Sequence, residues 1–359
     1  MEPQLKSKRF AFVISDFYGG GAQKVLLNTA EELRLRGHTV RIHTLRERIE
    51  HDIPPQLEIV NLAVINQATK ALSNVLVEKL QAHTIKKALR SFQPDIVISC
   101  SCDRITRHIH GFNLYFWVHA NSIDAAGDIK QKQKIITKNK KIYQGRRLIV
   151  VSEGIKQALV KHVGLKPQDI QVIYNPIDQV FIAKQAKENV RPPYDDYFIH
   201  VGSFEYRKRH DRLLRAYHAS GSQTPLVLMG KGKSEDEARL RSLINDLGVN
   251  DRVKIIPFQT NPYPYIAQAK ALLLTSDQEG LPTVLIEALL LNTPVISVDC
   301  PSGPSEILTD ELAPYLIEMD DTEALAAAIA RMDRAPLAIE PKHYQKFLNS
   351  AVIPKFERL

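Results

Sequence analysis

The sequence predicts an α/β protein made of two consecutive domains, each with a parallel β-sheet between layers of helices. The length of 359 residues exceeds what one ordinary core needs and suits two. Short apolar runs rich in valine and isoleucine alternate with amphipathic stretches, as in βαβ units, and this pattern breaks and restarts once. Near-continuous apolar strands separated by helices indicate parallel sheets covered on both faces.

The first domain is predicted over residues 1–178. Its predicted strands are 10–15, 39–44, 95–99, 114–118 and 148–151. Between the first two, the apolar residues at 22, 25, 26, 30 and 33 share one helical face, and Gly37 stands where a helix commonly ends.

The pattern stops in a polar stretch that we interpret as a linker over 179–196. It restarts in a second domain over 197–339, with predicted strands at 197–201, 226–229, 253–256, 271–274 and 294–298. A helical segment over 340–359 follows, and the sequence leaves open on which domain it packs. Ligands of such sheets bind at the carboxyl ends of the strands, so two facing sheets would form a central cleft.

Several classes of protein are disfavoured by composition. A hydrophobic content of 44% is too high for a disordered chain, and three cysteines are too few for a disulfide framework. No apolar run near the start is long enough for a signal peptide or a membrane span. We therefore expect a cytoplasmic protein.

Positive charge is concentrated in the first half of the chain. Residues 1–178 hold 27 lysines and arginines against 16 acidic residues, whereas the remainder holds 21 against 24. This asymmetry indicates an anionic partner, which could be a membrane surface, a phosphorylated acceptor or a nucleic acid. The span 130–147 is the most basic, with eight lysines and arginines and no acidic residue.

Each of three short motifs also has a simpler structural explanation. Gly19-Gly20-Gly21 follows a strand and opens a helix, which suits close approach of an anion, but a tight turn would need the same residues. The run 230–234, GKGKS, lacks the first glycine of a P-loop. The pairs Cys100/Cys102 and His108/His110 do not have zinc-finger spacing, which favours core thiols and surface histidines.

The most informative segment is 277–289, DQEGLPTVLIEAL, directly after a predicted strand. Pro282 suits the first turn of a helix, so the free amides of Thr283 and Val284 would offer an anion site. Glu279 would lie in the preceding loop and Glu287 about one and a half turns into the helix. A carboxylate can accept hydrogen bonds from the hydroxyls of a sugar or ribose, although both glutamates could also be solvated.

Glu279 and Glu287 form a Glu-x7-Glu motif, which with Ala288-Leu289 and 293–296 (TPVI) resembles the donor-binding segment of glycosyltransferase family 4. Other segments agree in order: the glycine loop at 19–27, the turn at 36–40, the linker start at 175–178, and 301–308 (PSGPSEIL). The last is similar to bacterial members that build surface polysaccharides, lipopolysaccharide cores and lipid-linked oligosaccharides. The resemblance covers nearly the whole chain and implies the GT-B fold, with two Rossmann-like domains.

The resemblance implies a role for each matching residue. Glu287 would bind the donor ribose, Glu279 the hydroxyls of the donor sugar, and Lys208 the diphosphate. His119 would contact the donor sugar near the reacting carbon, which makes His119, Glu279 and Lys208 the expected catalytic residues. The other expected donor-binding residues are Gly20, Gly21, Ser203, Arg207, Leu281, Pro282, Thr283 and Val284. Ser203 stands where many members have an arginine, and Arg207 is the nearest replacement for that charge.

The implied activity is retaining transfer of a sugar from a nucleotide sugar, a UDP-hexose or UDP-N-acetylhexosamine, to a glycan or lipid-linked acceptor. No Asp-x-Asp pair is present, since Asp195-Asp196 and Asp320-Asp321 are adjacent, so we expect no metal ion or other cofactor. The protein would be cytoplasmic, either free or peripheral on the inner face of the membrane. The alternatives are a sugar-nucleotide epimerase of the same architecture and, less favoured, a basic nucleic-acid-binding protein.

Overall fold

A computed structural model describes residues 6–66, 69, 74–124 and 126–359. The chain forms two compact units. Unit 1 contains Met1–Pro176 and the C-terminal Asn349–Leu359, and unit 2 contains Ile177–Leu348. Each unit has its own sheet and its own core.

In unit 1 the described residues form a sheet of seven parallel strands in the order β3-β2-β1-β4-β5-β6-β7. Their bounds are β1 Arg9–Ile14, β2 Thr39–Thr44, β3 Glu58–Asn61, β4 Ile96–Cys100, β5 Leu114–Val118, β6 Arg147–Val150 and β7 Ile170–Val172. The central strands are almost entirely buried because helices cover both faces, which explains why they read as continuous apolar runs.

Polar side chains cap several helices of unit 1. The helices are α1 Gly21–Leu35, α2 Val75–Phe92, α3 Asp103–Thr106, α4 Ile129–Tyr143, α5 Glu153–Ala158 with a π-turn at Leu159–Val163, and a 3-10 turn at Pro167–Asp169. The side chains of Asn74 and Asp128 accept hydrogen bonds from the first free amides of α2 and α4. These caps satisfy donors that the helix itself cannot.

Unit 2 has a sheet of six parallel strands in the order β10-β9-β8-β11-β12-β13, counted over the same described residues. The strands are β8 Phe198–Val201, β9 Leu226–Gly230, β10 Val253–Pro257, β11 Ala271–Leu274, β12 Val295–Val298 and β13 Leu316–Ile317. The α-helices are α6 Gln179–Gln185, α7 His210–Ala219, α8 Ser234–Asp246, α9 Tyr263–Ala267, α10 Thr283–Leu290, α11 Pro304–Ile307 and α12 Thr322–Arg334. Short 3-10 helices occur at Tyr206–Lys208, Asp310–Tyr315, Pro341–His343 and Gln345–Phe347.

The predicted fold class is confirmed, and each of the ten predicted strands lies within one residue of an observed one. Three short strands were missed: β3, β7 and β13. All three lie at sheet edges, where half-exposed residues do not form an apolar run. The range interpreted as a linker, 179–196, begins with helix α6 and belongs to unit 2.

The C-terminal helix α13, Asn349–Glu357, is part of unit 1 and packs on α1. The carboxylate of the buried Glu357 contacts Nε2 of the buried His38 at 3.0 Å. Lys8 Nζ donates a hydrogen bond to the main-chain carbonyl of Glu357 at 2.6 Å. Phe356 packs edge-on against Trp117 of β5, with ring centroids 5.1 Å apart. Of the segment 340–359, whose packing the sequence left open, residues 349–359 therefore complete the core of unit 1, whereas 340–348 belong to unit 2.

Each sheet reverses its strand order once. In unit 1 the reversal lies between β1 and β4, and in unit 2 it lies between β8 and β11. The loops that leave two such strands diverge to opposite faces of the sheet and open a crevice at their carboxyl ends. The glycine loop follows β1, and 277–289 follows β11, so both sequence motifs lie at these reversal points.

Candidate active site

In unit 2, an ion pair joins the two loops at the reversal point. Lys208, in the loop after β8, donates from Nζ to Glu279 Oε1, in the loop after β11, at 2.6 Å. The two side chains are 13% and 12% exposed, so the pair is largely shielded from water but still reachable. The two residues that the resemblance assigned to diphosphate and sugar therefore contact each other directly.

Main-chain hydrogen bonds hold these loops in register. The Asp277 amide donates to the Arg207 carbonyl at 2.8 Å, and the Thr275 hydroxyl donates to the Lys208 carbonyl at 3.2 Å. Arg209, which has a left-handed backbone with φ of 49°, bridges Asp211 and Asp277 at 3.0 Å each. These contacts join the loop that carries Lys208 to the loop that carries Glu279, and they hold the two side chains close together.

Arg209 and Asp277 lie beside this ion pair, and the sequence analysis gave neither of them a role. The buried Arg212 also contacts Asp277, at 3.0 Å, and donates to the Thr275 carbonyl at 2.8 Å. Arg209, the N-cap residue of α7, and Arg212, in the first turn of α7, are three residues apart, and both reach Asp277. That spacing was the available signal, but nothing in the sequence indicated Asp277 as the shared partner.

Two glycines permit the close packing of the loops around this site. A Cβ on Gly230 would lie 1.8 Å from the Gly202 carbonyl oxygen, so no larger residue fits between β9 and the loop after β8. Gly303 has φ of 96°, and a Cβ there would lie 2.6 Å from Pro282 Cδ. The GKGKS run therefore serves loop packing, and the PSGPSEIL segment supports the loop before α10.

Helix α10 begins where the sequence predicted, with Pro282 at its N-cap position and Thr283 as its first residue. The N-cap residue, Pro282, has no side-chain group that could accept a hydrogen bond from α10. The amides of its first turn have no acceptor within the helix, and they carry partial positive charge. Thr283 and Val284 are partly exposed, whereas Leu281 and Pro282 are buried and fix the entry of the chain.

Glu287 lies on the second turn of α10 and is 7% exposed. The hydroxyl of the buried Tyr263, in α9, donates to Glu287 Oε1 at a long 3.5 Å. A carboxylate oxygen accepts hydrogen bonds from hydroxyl groups, as Glu287 does from Tyr263, and the same chemistry suits the hydroxyls of a ribose.

His200, at the end of β8, adds no charge to the site near neutral pH. Burial lowers the pKa of His200 to about 4, and the charge of nearby Lys208 acts in the same direction. Its Nδ1 lies 2.8 Å from the Leu273 carbonyl, so Nδ1 carries the proton. Arg207 is directed elsewhere, since its guanidinium contacts Glu205 at 2.6 Å on the surface. Ser203 is partly exposed in the same loop.

In unit 1, His119 follows β5 and lines a pocket of about 530 Å³ at the carboxyl ends of β1, β4 and β5. The imidazole packs on Trp117 with ring centroids 4.5 Å apart. Burial lowers the pKa of His119 to about 3, so the ring is neutral at physiological pH. Among the described residues, none forms a hydrogen bond with its Nε2, which is itself buried.

The same pocket contains a carboxyl group with a perturbed pKa. Asp103 accepts hydrogen bonds from Tyr143 at 2.7 Å and Ser99 at 2.8 Å, and burial raises its pKa to about 6. Glu78, also in the wall, is held by Arg104 and Arg107 at 2.8 Å each. The wall therefore mixes satisfied polar groups with apolar side chains, as small-molecule pockets do.

The glycine loop of unit 1 is held by its neighbours. The Gly19 amide donates to Glu50 at 3.1 Å, and His51 Nε2 lies 2.6 Å from the Gly19 carbonyl. Gly20 has φ of 51° at the start of α1, and Gly21 has open space where a side chain would be. The backbone at Gly21 is thus open, whereas the Gln23 side chain lies over Gly20, where a Cβ would be 2.9 Å from Gln23 Oε1.

The cysteine and histidine pairs have structural surroundings. Cys100 and Cys102 are buried at the end of β4, and burial raises the pKa of Cys100 to about 12. His108 contacts Glu78 at 3.2 Å, and His110 is an exposed neighbour of Arg146. Within the described ranges, no cluster of ligating side chains suits a metal ion, and no helix is long and apolar enough to cross a membrane.

Two family models match consecutive parts of the chain. The model described as Glycosyltransferase Family 4 matches residues 19–180, and that described as Glycosyl transferases group 1 matches residues 181–347. Together they account for nearly the whole chain and include both reversal points. The chain belongs to glycosyltransferase family 4. Its similarity to solved structures shows the GT-B fold of that family.

One solved relative of this family-4 chain is the apo form of the lipopolysaccharide outer core galactosyltransferase WaaB. It has a TM-score of 0.74 and 20% identity, with 98% of each chain covered.

Two curated relatives align over shorter spans. The N-acetylgalactosamine-N,N'-diacetylbacillosaminyl-diphospho-undecaprenol 4-alpha-N-acetylgalactosaminyltransferase of Campylobacter jejuni is 31% identical over 50% of this chain and 49% of its own. The lipopolysaccharide 1,6-galactosyltransferase of Escherichia coli is 29% identical over 72% of this chain and 71% of its own. The match thus spans about half the length of the Campylobacter relative.

Proposed function

We propose that this family-4 chain transfers a sugar, with retention of anomeric configuration, from a nucleotide sugar to a glycan or glycolipid in bacterial surface polysaccharide synthesis. The observation that carries the proposal is the convergence of Lys208, Glu279 and the N-terminus of α10 at the reversal point of unit 2. A UDP-hexose or UDP-N-acetylhexosamine is the proposed donor. The names of the two curated relatives support an acceptor in lipopolysaccharide or on a lipid diphosphate.

Each group at this point has a chemical task in the proposed reaction. A diphosphate leaving group gains negative charge as the bond to the sugar breaks, and a lysine ammonium and helix amides stabilise that charge. Lys208 supplies the ammonium, and Thr283 and Val284 supply the amides. Glu279 accepts hydrogen bonds from sugar hydroxyls, and Glu287 accepts them from the ribose.

Glu279 forms an ion pair with the ammonium of Lys208, the group that the diphosphate requires. Donor binding therefore exchanges partners: Lys208 turns to the phosphate oxygens, and Glu279 turns to the sugar hydroxyls. The exchange pairs the ammonium with the charge of the diphosphate and leaves the carboxylate with hydrogen bonds from hydroxyls, which matters because each group is mostly shielded from water.

His119 would act as a neutral hydrogen-bonding group beside the reacting carbon. With a pKa of about 3, its imidazole holds one proton and one free lone pair at neutral pH. It can orient a sugar hydroxyl without placing a positive charge against the developing oxocarbenium ion. In a front-face reaction, the leaving diphosphate accepts the proton of the acceptor hydroxyl.

Incubation of the protein with a panel of nucleotide sugars tests the proposal. We expect slow hydrolysis of one donor without acceptor, and transfer to a sugar or glycolipid acceptor with the α-linkage retained. An epimerised nucleotide sugar formed without acceptor would identify an epimerase instead. The absence of any nucleotide-sugar binding would reject the proposal.

Catalysis is expected to continue in excess chelator, because Lys208 and the α10 amides can neutralise the diphosphate without a divalent ion. Three of the four aspartates in the two adjacent pairs contact other groups of the protein. Asp196 contacts Lys270 at 2.7 Å, Asp320 contacts Arg212 at 2.6 Å, and Asp321 caps α12. The measurement is the initial transfer rate with and without chelator. Activity lost in chelator and restored by magnesium or manganese would contradict this expectation.

A further inference from the structure

Two carboxylates line the pocket of unit 1, Glu78 and Asp103, and they differ in how many hydrogen bonds they already accept. Arg104 donates to Oε1 of Glu78 at 2.8 and 3.0 Å. Arg107 donates to Oε2 at 2.8 Å, and His108 Nε2 lies 3.2 Å from the same oxygen. A carboxylate oxygen accepts about two hydrogen bonds, so both oxygens of Glu78 are fully occupied by the protein.

The carboxylate of Asp103 is only half occupied. The Ser99 hydroxyl donates to Oδ1 at 2.8 Å, and the Tyr143 hydroxyl donates to Oδ2 at 2.7 Å. None of the described residues forms an ion pair with this carboxylate. Each oxygen therefore keeps one further acceptor position, and two adjacent positions match two neighbouring hydroxyls of a sugar ring.

The turn after β4 brings Asp103 into the pocket wall. Ser101 follows β4 and has a left-handed backbone with φ of 59°. Cys102 is the N-cap residue of α3, and Asp103 is the first residue of that helix. A positive φ is uncommon for a residue other than glycine, and such conformations are concentrated at functional sites. Ser101 and Cys102 also line the pocket, so the whole turn forms part of its wall.

The surroundings of Asp103 determine when it is ionised. Burial raises its pKa to about 6, while the two hydroxyl hydrogen bonds and the charge of Lys138, an exposed lining residue of α4, act in the opposite direction. The thiols of Cys100 and Cys102 add no charge, because burial raises their pKa values. Asp103 is therefore mostly ionised at about pH 7.5 and mostly protonated at about pH 5.

We propose that Asp103 binds the acceptor sugar, and that its two free acceptor positions hold two neighbouring hydroxyls of that sugar in the pocket that contains His119. The inference rests on the proposed function for the role of this sugar as acceptor. Protonation places a hydrogen on one of the oxygens and removes the charge that strengthens both bonds. Acceptor binding therefore weakens as the pH falls through about 6, whereas donor binding in unit 2 does not depend on Asp103.

The test uses methyl glycosides of glucose, galactose and N-acetylglucosamine as probes, titrated into the full chain without UDP and followed by ligand-observed NMR. At least one glycoside should bind the wild type at about pH 7.5, and its binding should weaken about tenfold at about pH 5. Asp103→Asn should weaken binding at the higher pH about tenfold to a hundredfold and should abolish the pH dependence. Wild-type binding retained in Asp103→Asn, or no glycoside bound by the wild type, would overturn the proposal.

A second variant tests the role of Asp103 without changing the carboxylate. Lys138→Gln removes a charge that favours the ionised form, so the midpoint of the pH dependence should move to higher pH. Lys134→Gln is the matched control, because Lys134 is exposed on the same helix and lies outside the described lining of the pocket. A purely structural Asp103 predicts no midpoint to move. An unmoved midpoint in Lys138→Gln, or an equal shift in both variants, would contradict the assignment.

UDP affinity, measured by calorimetry on every variant, distinguishes this inference from the proposed function. Asp103→Asn, Lys138→Gln and Lys134→Gln should bind UDP like the wild type, because all three substitutions lie in unit 1. Glycoside binding without UDP binding would reject the proposed function and leave Asp103 as a sugar-binding residue. UDP binding without glycoside binding would reject the role of Asp103 alone.

Discussion

Lys208→Met is expected to lower the turnover of transfer by about a hundredfold to a thousandfold at saturating donor. Methionine retains most of the length of lysine but cannot compensate the charge that develops on the leaving diphosphate. The attraction between the Lys208 ammonium and the diphosphate strengthens as the bond to the sugar breaks. Turnover should therefore fall more than donor affinity. The measurement is the initial rate of donor consumption with acceptor, together with donor affinity by calorimetry.

Loss of Lys208 also leaves Glu279 without its partner, which could destabilise unit 2. The double variant Lys208→Met, Glu279→Gln removes both charges, and it should recover thermal stability without recovering turnover. Lys254→Met, at an exposed position of β10, is the matched control and should keep wild-type rates. If Lys208→Met turns over within a few-fold of wild type, the lysine has no role at the diphosphate.

The strands and the start of α10 were predictable because local sequence determines them. The central strands are apolar runs because both faces are buried, and Pro282 has the fixed φ of a first-turn residue. The edge strands β3 and β7 were not predictable, since each is short and only partly buried. Each of them forms by pairing with a strand from another part of the sequence, β3 with β2 and β7 with β6.

The contact between Lys208 and Glu279 was beyond sequence reasoning for a related reason. The two residues are 71 positions apart, and they meet because β11 pairs with β8 across the reversal of strand order. The sequence indicated both as donor-binding residues without indicating that they neutralise each other. The sequence places Gly303 in the PSGPSEIL motif. Its close approach to Pro282 arises only when the loop is folded, so it could not be predicted.

Glu287→Ala is expected to weaken UDP binding about tenfold to a hundredfold while unit 2 stays folded. Hydrogen bonds to a charged group are worth roughly 1.5–3 kcal/mol, which corresponds to that range of affinity. The position of Glu287 at 7% exposure shields such bonds from competing water. Calorimetric titration with UDP measures the loss, and a thermal melt checks the fold.

Two further variants decide whether Glu287 acts directly on the ribose. Glu287→Gln keeps the volume and one acceptor oxygen but removes the charge, so its affinity for UDP should lie between wild type and Glu287→Ala. Tyr263→Phe removes the hydroxyl that lies 3.5 Å from Glu287 Oε1, and it should change UDP affinity by less than about threefold. If Tyr263→Phe weakens UDP binding as much as Glu287→Ala, the glutamate acts through its packing with α9. Unchanged UDP affinity in Glu287→Ala would remove this residue from the ribose site, because a buried carboxylate that binds two hydroxyls cannot be lost without cost.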